Sequence, residues 1–374
     1  MTQRFRFEVL ALDDHARLGE LSTSHGVVQT PTFMPVGTLA AVKGQTPCEV
    51  AATGARIMLA NTYHLWLRPG AERIASLGGV QRFMAWPHAV LTDSGGYQVF
   101  SLAQLRQIDD EGVSFRSHLD GELKFLTPEI ALQVQGLLGS DIAMVLDECP
   151  AGNAPRAVIE AAMRRTTAWA ERSLQVPETS GQVRFGIVQG GSHLDLRLAH
   201  LQDIAAKPFS GVALGGFSVG EPPETMHELL AELGPRMPVD RPRYLMGVGT
   251  PKDLLIAISA GIDMFDCVLP TRNGRNAQAF TWSGRLNLNN AKHRDDSQPV
   301  DSACDCPVCK TYSRAYLRHL FNVGEMLGPR LVSQHNLHFY VALMAGARQA
   351  ISERSYAAYM HNALSRLANG DGTP

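Results

Sequence analysis

A (β/α)8 barrel with a zinc-binding insertion after its last strand is the fold that the sequence predicts, on three observations. Short, continuously apolar runs alternate with amphipathic stretches of helical length through most of the 374 residues, and such runs suit parallel strands covered on both faces. The helical stretches repeatedly open on proline and close near glycine. About eight apolar runs can be counted, several ending on a polar or glycine residue, as barrel strands do at their functional rim. A doubly wound sheet would show the same alternation. It is disfavoured because neither a Gly-x-Gly-x-x-Gly turn nor a Gly-x4-Gly-Lys-Ser/Thr loop follows any strand.

In chain order, the first strand is read over Val28 to Val36, the second over Arg56 to Asn61 and the third over Ala89 to Asp93. Val113 to Thr127 reads as a hairpin pair turning at Asp120-Gly121, a dipeptide that tolerates the positive φ of a tight turn. Helix Pro128 to Leu138 then leads to strand Ile142 to Asp147, and helix Pro155 to Leu174 to strand Phe185 to Gln189. Helix His193 to Ala206, strand Gly211 to Gly215, helix Pro223 to Leu233, strand Arg243 to Gly247, helix Pro251 to Ala260 and strand Ile262 to Asp266 complete the series. One domain over 1–374 accommodates all of it, with 271–335 as an insertion on the catalytic side.

Composition narrows the function. With 45% hydrophobic residues and a net charge of −2, the chain looks like an ordinary globular protein and not a nonspecific nucleic-acid binder. Segment 271–335 is the exception: nine Lys/Arg against five Asp/Glu make it +4, which leaves −6 for the remainder. No run of 18 apolar residues occurs, and the first eight residues lack the apolar centre of a signal peptide, so no membrane association and a cytoplasmic location are expected.

Cys304-Asp-Cys306-Pro-Val-Cys309 gathers three of the six cysteines within six positions, while Cys48, Cys149 and Cys267 stand alone. Adjacent thiolates repel unless a metal neutralises them, and one Zn²⁺ suits so short a turn better than a disulfide. Spacing leaves His319, His335 and His338 open as the fourth ligand. Four protein ligands leave no position for water, so the zinc is expected to be structural.

At the strand ends lie Asp93, Asp147, Gln189, the Gly215-Gly216 pair and Asp266. A carboxylate, an amide and the backbone N–H groups of Gly215 and Gly216 suit the edge of a heterocycle, and Tyr97 and Met246 its faces. Tyr and Met more commonly pack in a core, so neither carries the reading alone. Asp93 and Asp266 remain, and two carboxylates about one bond are what glycosyl transfer uses.

The residues resemble the tRNA-guanine transglycosylases, in particular the bacterial branch, over essentially the whole chain. The carrying motifs are Asp93-Ser-Gly-Gly-Tyr-Gln-Val-Phe100, Asp147-Glu-Cys149, Gly186-Ile-Val-Gln-Gly-Gly191, Tyr244-Leu-Met-Gly-Val-Gly249, Asp263 through Arg275, and the three cysteines with His335. The resemblance implies exchange of guanine at the anticodon wobble position of G-U-N tRNAs, within a U-G-U loop, for 7-aminomethyl-7-deazaguanine (preQ1), a step towards queuosine. It also implies a homodimer, and His335 as the fourth zinc ligand. By the same resemblance Asp266 is the nucleophile on ribose C1′ and Asp93 the general acid/base. Ser94, Asp147, Cys149, Gln189, Gly215, Gly216, Phe217 and Val219 surround the base between Tyr97 and Met246, and Thr271, Arg272, Asn273, Gly274, Arg275 and Asn276 contact the RNA. Phe217 departs from the usual Leu; its role is expected to use the backbone carbonyl. The eukaryotic relatives carry Gly and Val where this chain has Val219 and Cys149, so the pocket is expected to admit a small aminomethyl group and to exclude queuine. Glu221 is placed to favour the ammonium.

Three other readings have weaker support. A zinc hydrolase or deaminase needs an open coordination position and a catalytic Glu beside the metal. A non-catalytic RNA-binding relative would lack the two aspartates. An archaeal-type enzyme would carry further RNA-binding domains.

Overall fold

The computed structural model describes residues 5–102 and 106–368. The first four residues of the segment read for a signal peptide, and both ends of the 1–374 domain span, lie outside them.

Among the described residues, eight stations of parallel strand form a nearly closed barrel. They are β1 (Thr32–Met34, resumed as Val36–Gly37), β2 (Ile57–Ala60), β3 (Ala89–Thr92), β4 (Ile142–Met144), β5 (Val183–Val188), β6 (Gly211–Leu214), β7 (Arg243–Leu245) and β8 (Met264–Asp266). Neighbours in sequence pair in parallel, and β8 returns to β1 with Met264 opposite Thr32 and Asp266 opposite Met34. β1 is split at Pro35, which has no N–H to give the ladder, although its carbonyl still accepts from Leu59 N–H at 3.0 Å. Its first half therefore serves β8 and its second half β2. Phe33, Leu91, Met144, Ile187, Leu214, Leu245 and Phe265 are buried in one continuous core.

The expected single strand from Val28 to Val36 needs correction. Gly26–Thr30 instead closes a three-stranded antiparallel sheet with Arg6–Asp13 and Ala16–Thr23. Pro31 cannot extend either ladder, and across it the chain changes from pairing Thr30 with Gly19 to pairing Thr32 with Met264. This sheet docks at the amino ends of the barrel strands, where Arg17 Nε donates to Asp263 Oδ1 at 3.1 Å and Arg243 N–H donates to Oδ2 at 2.8 Å. The opposite, carboxyl end is thereby left for chemistry.

The helices that matter below are α1 (Gly96–Leu102), α2 (Pro128–Leu138), α3 (Arg156–Gln175), α4 (Leu194–Ala205), α5 (Pro223–Leu233), α6 (Pro251–Ser259), α7 (Leu269–Arg275) and α8 (Leu327–Ser352). Local chemistry sets their ends. Thr127 and Thr250 cap α2 and α6 by accepting from the third backbone N–H beyond, each followed by proline, and α2 stops at Gly139 in the left-handed region. The predicted hairpin is present as Val113–Arg116 with Leu123–Leu126, joined by a third strand, Arg106–Ile108. Segment 278–322 adds the hairpin Gln278–Thr281 with Gly284–Asn287 and two short helices around their own small core. The sequence reading did not foresee α8, the 26-residue helix that returns this segment to the barrel. Among the described residues no helix is long and apolar enough to cross a membrane.

Candidate active site and metal centre

Asp266 ends β8, and two donors converge on one of its oxygens. Tyr244 of β7 donates its hydroxyl to Oδ1 at 2.6 Å, and Gly247 N–H donates to the same atom at 2.8 Å. Burial pushes the Asp266 pKa up while both hydrogen bonds pull it down. One residue beyond β3, Asp93 is held as firmly: Thr62 N–H (2.8 Å) and Gly95 N–H (3.2 Å) meet Oδ1, and the Asn61 amide meets Oδ2. Burial drives Asp93 up to about 6, and the charge of Asp266 adds to the shift. The two carboxylates are therefore coupled across the barrel mouth and differ in their hydrogen bonding.

Asp147 and Gln189, beyond β4 and at the end of β5, touch directly: Gln189 Nε2 donates to Asp147 Oδ2 at 2.6 Å. Ser94 Oγ approaches Asp147 Oδ1 at 3.5 Å. Burial raises Asp147 to about 6, against the pull of Gln189 and Ser94. Among the described residues the buried Gln189 side-chain oxygen has no hydrogen-bond partner, an acceptor in a polar pocket. Cys149 is a neutral thiol, pushed up to about 12 by burial and then by Asp147.

Gly215 and Gly216 end β6 beside Gln189, and only one of them has the expected role open to it. The Gly215 N–H is committed to Val188 O at 2.9 Å in the ladder, so the expectation of two free donors is corrected to Gly216. A side chain at Gly216, which has φ +66°, would collide with Gln189 Oε1, so the close approach requires glycine. Beyond it Phe217 is buried, and Val219 lies in a turn whose Glu221 carboxylate accepts from the Ser218 and Val219 N–H groups. Tyr97 stands exposed on the first turn of α1, and Met246 is half-buried just past β7.

The expected RNA-contacting run is helical, and its residues divide by face. Arg272, Arg275 and Asn276 are exposed and Asn273 partly so on α7. Thr271 and Gly274 face inward: both are buried, Gly274 so tightly that a Cβ would meet Ser333 of α8 at 2.6 Å. Among the described residues neither arginine has a carboxylate within ion-pair reach, and the charge of Arg272 adds to the burial that lowers the Arg275 pKa.

Cys304, Cys306, Cys309 and His335 form one cluster with all four ligand atoms within 4.8 Å of one another. The sulfurs lie 3.7, 3.5 and 3.3 Å from His335 Nδ1. A tetrahedral zinc with ordinary Zn–S and Zn–N bonds has S···N edges of about 3.5 Å, so the donor set fits the ion. His335 Nε2 meets Phe280 O at 2.7 Å, which fixes the ring with Nδ1 towards the sulfurs. His338 pairs with Asp305 at 2.8 Å, and neither it nor the exposed His319 belongs to the cluster.

Sequence reasoning missed the groups that hold the named ones: Asn61 and Thr62 for Asp93, Tyr244 and Gly247 for Asp266, His200 and Arg197 for the Gln189 side. His200 Nδ1 accepts from Gln189 N–H at 2.8 Å, which the lowering of its pKa by burial to about 4 favours. A signal was present. Leu196, Arg197, His200, Leu201 and Ile204 follow helical spacing on the buried side of α4, and two polar residues on an apolar stripe ask for partners.

Comparison with known proteins places these motifs in one family. The family model described as queuine tRNA-ribosyltransferase matches residues 13–369. A queuine tRNA-ribosyltransferase of Sorangium cellulosum is 60% identical over 96% of this chain and 91% of its own length. Proteins of the same name from Novosphingobium aromaticivorans and Dinoroseobacter shibae are 52% and 50% identical, covering 95% and 100% of this chain and 96% and 100% of their own.

Proposed function

The chain belongs to the queuine tRNA-ribosyltransferase family, and on that premise we propose that it exchanges guanine at the wobble position of G-U-N tRNAs for preQ1 through a ribosyl ester on Asp266. Membership makes it an enzyme of the pentosyltransferase class, acting in tRNA guanine exchange for queuosine synthesis. The observation that carries the finer reading is the asymmetric binding of Asp266, which has both strong donors on Oδ1.

In this mechanism Asp266 Oδ2 bonds to ribose C1′ while the C1′–N9 bond breaks, and its electron pair leaves with guanine. Asp93, whose pKa burial raises to about 6, supplies the proton that the departing base takes up. It then removes the N9 proton of the incoming base, whose nitrogen attacks C1′ and releases the ester. Splitting the exchange into two displacements keeps the glycosidic energy in the ester, so no nucleotide triphosphate is consumed.

Ionised Asp147 accepts from the base N–H groups, while Gln189 and the Gly216 N–H serve its carbonyl. Gln189 must therefore leave Asp147 when a base enters. Tyr97 and Met246 cover its faces, Ser94 and Cys149 line it, and the Phe217 carbonyl with Glu221 receives the aminomethyl group beside Val219. Arg272, Asn273, Arg275 and Asn276 hold the anticodon loop, whose unstacked bases reach the barrel mouth for a few kcal/mol. Zinc on Cys304, Cys306, Cys309 and His335 closes the insertion. A homodimer in the cytoplasm completes the proposal.

The test is incubation with radiolabelled guanine and a tRNA bearing a G-U-N anticodon. Label in the RNA is expected; its absence, with unlabelled preQ1 failing to displace guanine, overturns the reading.

A further inference from the structure

Arg197 is a fully buried guanidinium on α4 that reaches the rim of the base pocket from behind. Its Nη1 donates to Gly215 O at 3.0 Å, its Nη2 to Gly216 O at 2.9 Å and its Nε to Gly191 O at 2.5 Å. The Phe217 ring covers its face with the centroid 3.6 Å from the guanidinium carbon. Burial pushes its pKa down to about 9, and the Glu221 carboxylate is the main influence in the other direction. So costly a charge is retained only where its donors are used.

A trans peptide points its C=O and the following N–H in opposite directions. With the Gly215 carbonyl turned to Nη1, the Gly216 N–H must face away from Arg197. With the Gly216 carbonyl turned to Nη2, the Phe217 N–H must do the same. Gly216 is the hinge between the two planes, at the φ of +66° that lets successive donors converge. The same guanidinium ties this turn to Gly191, just beyond Gln189, so the two donors assigned to the base carbonyl share one anchor.

We propose that Arg197 is a positioning residue for base selection: it aims the Gly216 N–H at the carbonyl oxygen of the bound purine, and Phe217 secures it by covering the guanidinium. The inference rests on the reading of Gly216 as a base-edge donor. It also gives a use to the phenylalanine side chain at a position whose expected role was its backbone alone. A planar fork with three backbone acceptors cannot be replaced by the point charge of lysine without loss of aim.

The experiment compares guanine with 2-aminopurine, which keeps the amino group and lacks both the carbonyl and the N1–H that goes with it; the N1–H contact to Asp147 is common to wild type and variants. Both are measured as competitive inhibitors of guanine exchange, and by calorimetric binding, for the wild-type protein and for Arg197→Lys and Phe217→Leu. Expected is a wild-type preference for guanine that Arg197→Lys reduces by about tenfold, with 2-aminopurine affinity unchanged. Phe217→Leu should move the preference the same way by about two- to fivefold, and it serves as the readout should the lysine variant fail to fold. The KM for tRNA should stay within about twofold, because neither residue reaches the RNA backbone. If the wild-type protein binds both purines equally, the base-edge reading itself fails. If it discriminates and the variants discriminate as well, or lose both ligands in parallel, Arg197 is only structural.

Discussion

Tyr244 and Asp266 are joined by a 2.6 Å hydrogen bond from the phenol to Oδ1, the oxygen that also receives the Gly247 N–H. Both strong donors sit on one side of the carboxylate, so Oδ2 keeps its lone pairs for a carbon electrophile. Asp266→Asn should abolish a denaturant-stable protein–RNA adduct, read as a slower band on a denaturing gel. Tyr244→Phe should still form the adduct, about ten- to a hundredfold more slowly, because one donor to the carboxylate is lost. An adduct that survives Asp266→Asn and disappears with Asp93→Asn would exchange the two roles.

Guanine binding should weaken in acid. Asp147 can accept two base N–H groups, one on each oxygen, only when ionised, and its pKa is about 6, so affinity is full above that value and falls by up to roughly tenfold per pH unit below it. Competitive inhibition measured from pH 5 to 8 checks this; a flat profile removes Asp147 from the base edge.

Stability should show the opposite sign. The folded pKa of Asp147 lies above its usual 3.8, so the native state holds the proton longer than the unfolded chain. Its contribution is most favourable below about pH 4 and is lost as pH rises through 6. Asp147→Asn should therefore be more stable than wild type at pH 7.5, by an amount of order 1–3 kcal/mol that shrinks towards pH 4. Thermal unfolding of both proteins across that range reads the difference, and a constant difference would contradict it.

Metal analysis should find one zinc per chain. Cys306 is fully buried, and Cys306→Ser leaves three ligands around a site whose closure contributes folding free energy. A lowered melting temperature and lost metal are expected, and full stability without metal would remove the assignment.

Arg272→Ala with Arg275→Ala should weaken tRNA binding and flatten the dependence of log affinity on log salt by about two. Filter binding at several salt concentrations measures it. An unchanged slope would move the RNA off α7.

Much of the barrel was legible because its strands are apolar on both faces and its helices are punctuated by proline and glycine. Strands β2 to β8 lie where the apolar runs predict them, within a few residues at their ends. The failure at Val28 to Val36 has a local cause: an apolar run cannot say which of two sheets it joins, and two prolines divide it. In the site, residues with chemistry at strand ends were readable, and those serving them were not. Asn61, Tyr244 and Arg197 act through directed hydrogen bonds across the fold, 32, 22 and 18 or so positions apart, which periodicity does not encode. A motif lists consecutive residues, whereas a helix turns every third or fourth one to the same face, so Thr271 and Gly274 face inward.

The helix that supplies His335 to the cysteine cluster is also a wall of the barrel. One residue on, Asn336 bonds the carbonyls of Pro270 and Gln278 and the Phe280 N–H, and Tyr340 donates to Gly249 O at 2.6 Å, two residues past the Gly247 that serves Asp266. The segment behind the last strand is thus not a detachable module. An attempt to excise it, or to graft it onto another barrel, would cut through α8 and take away a support of the catalytic rim.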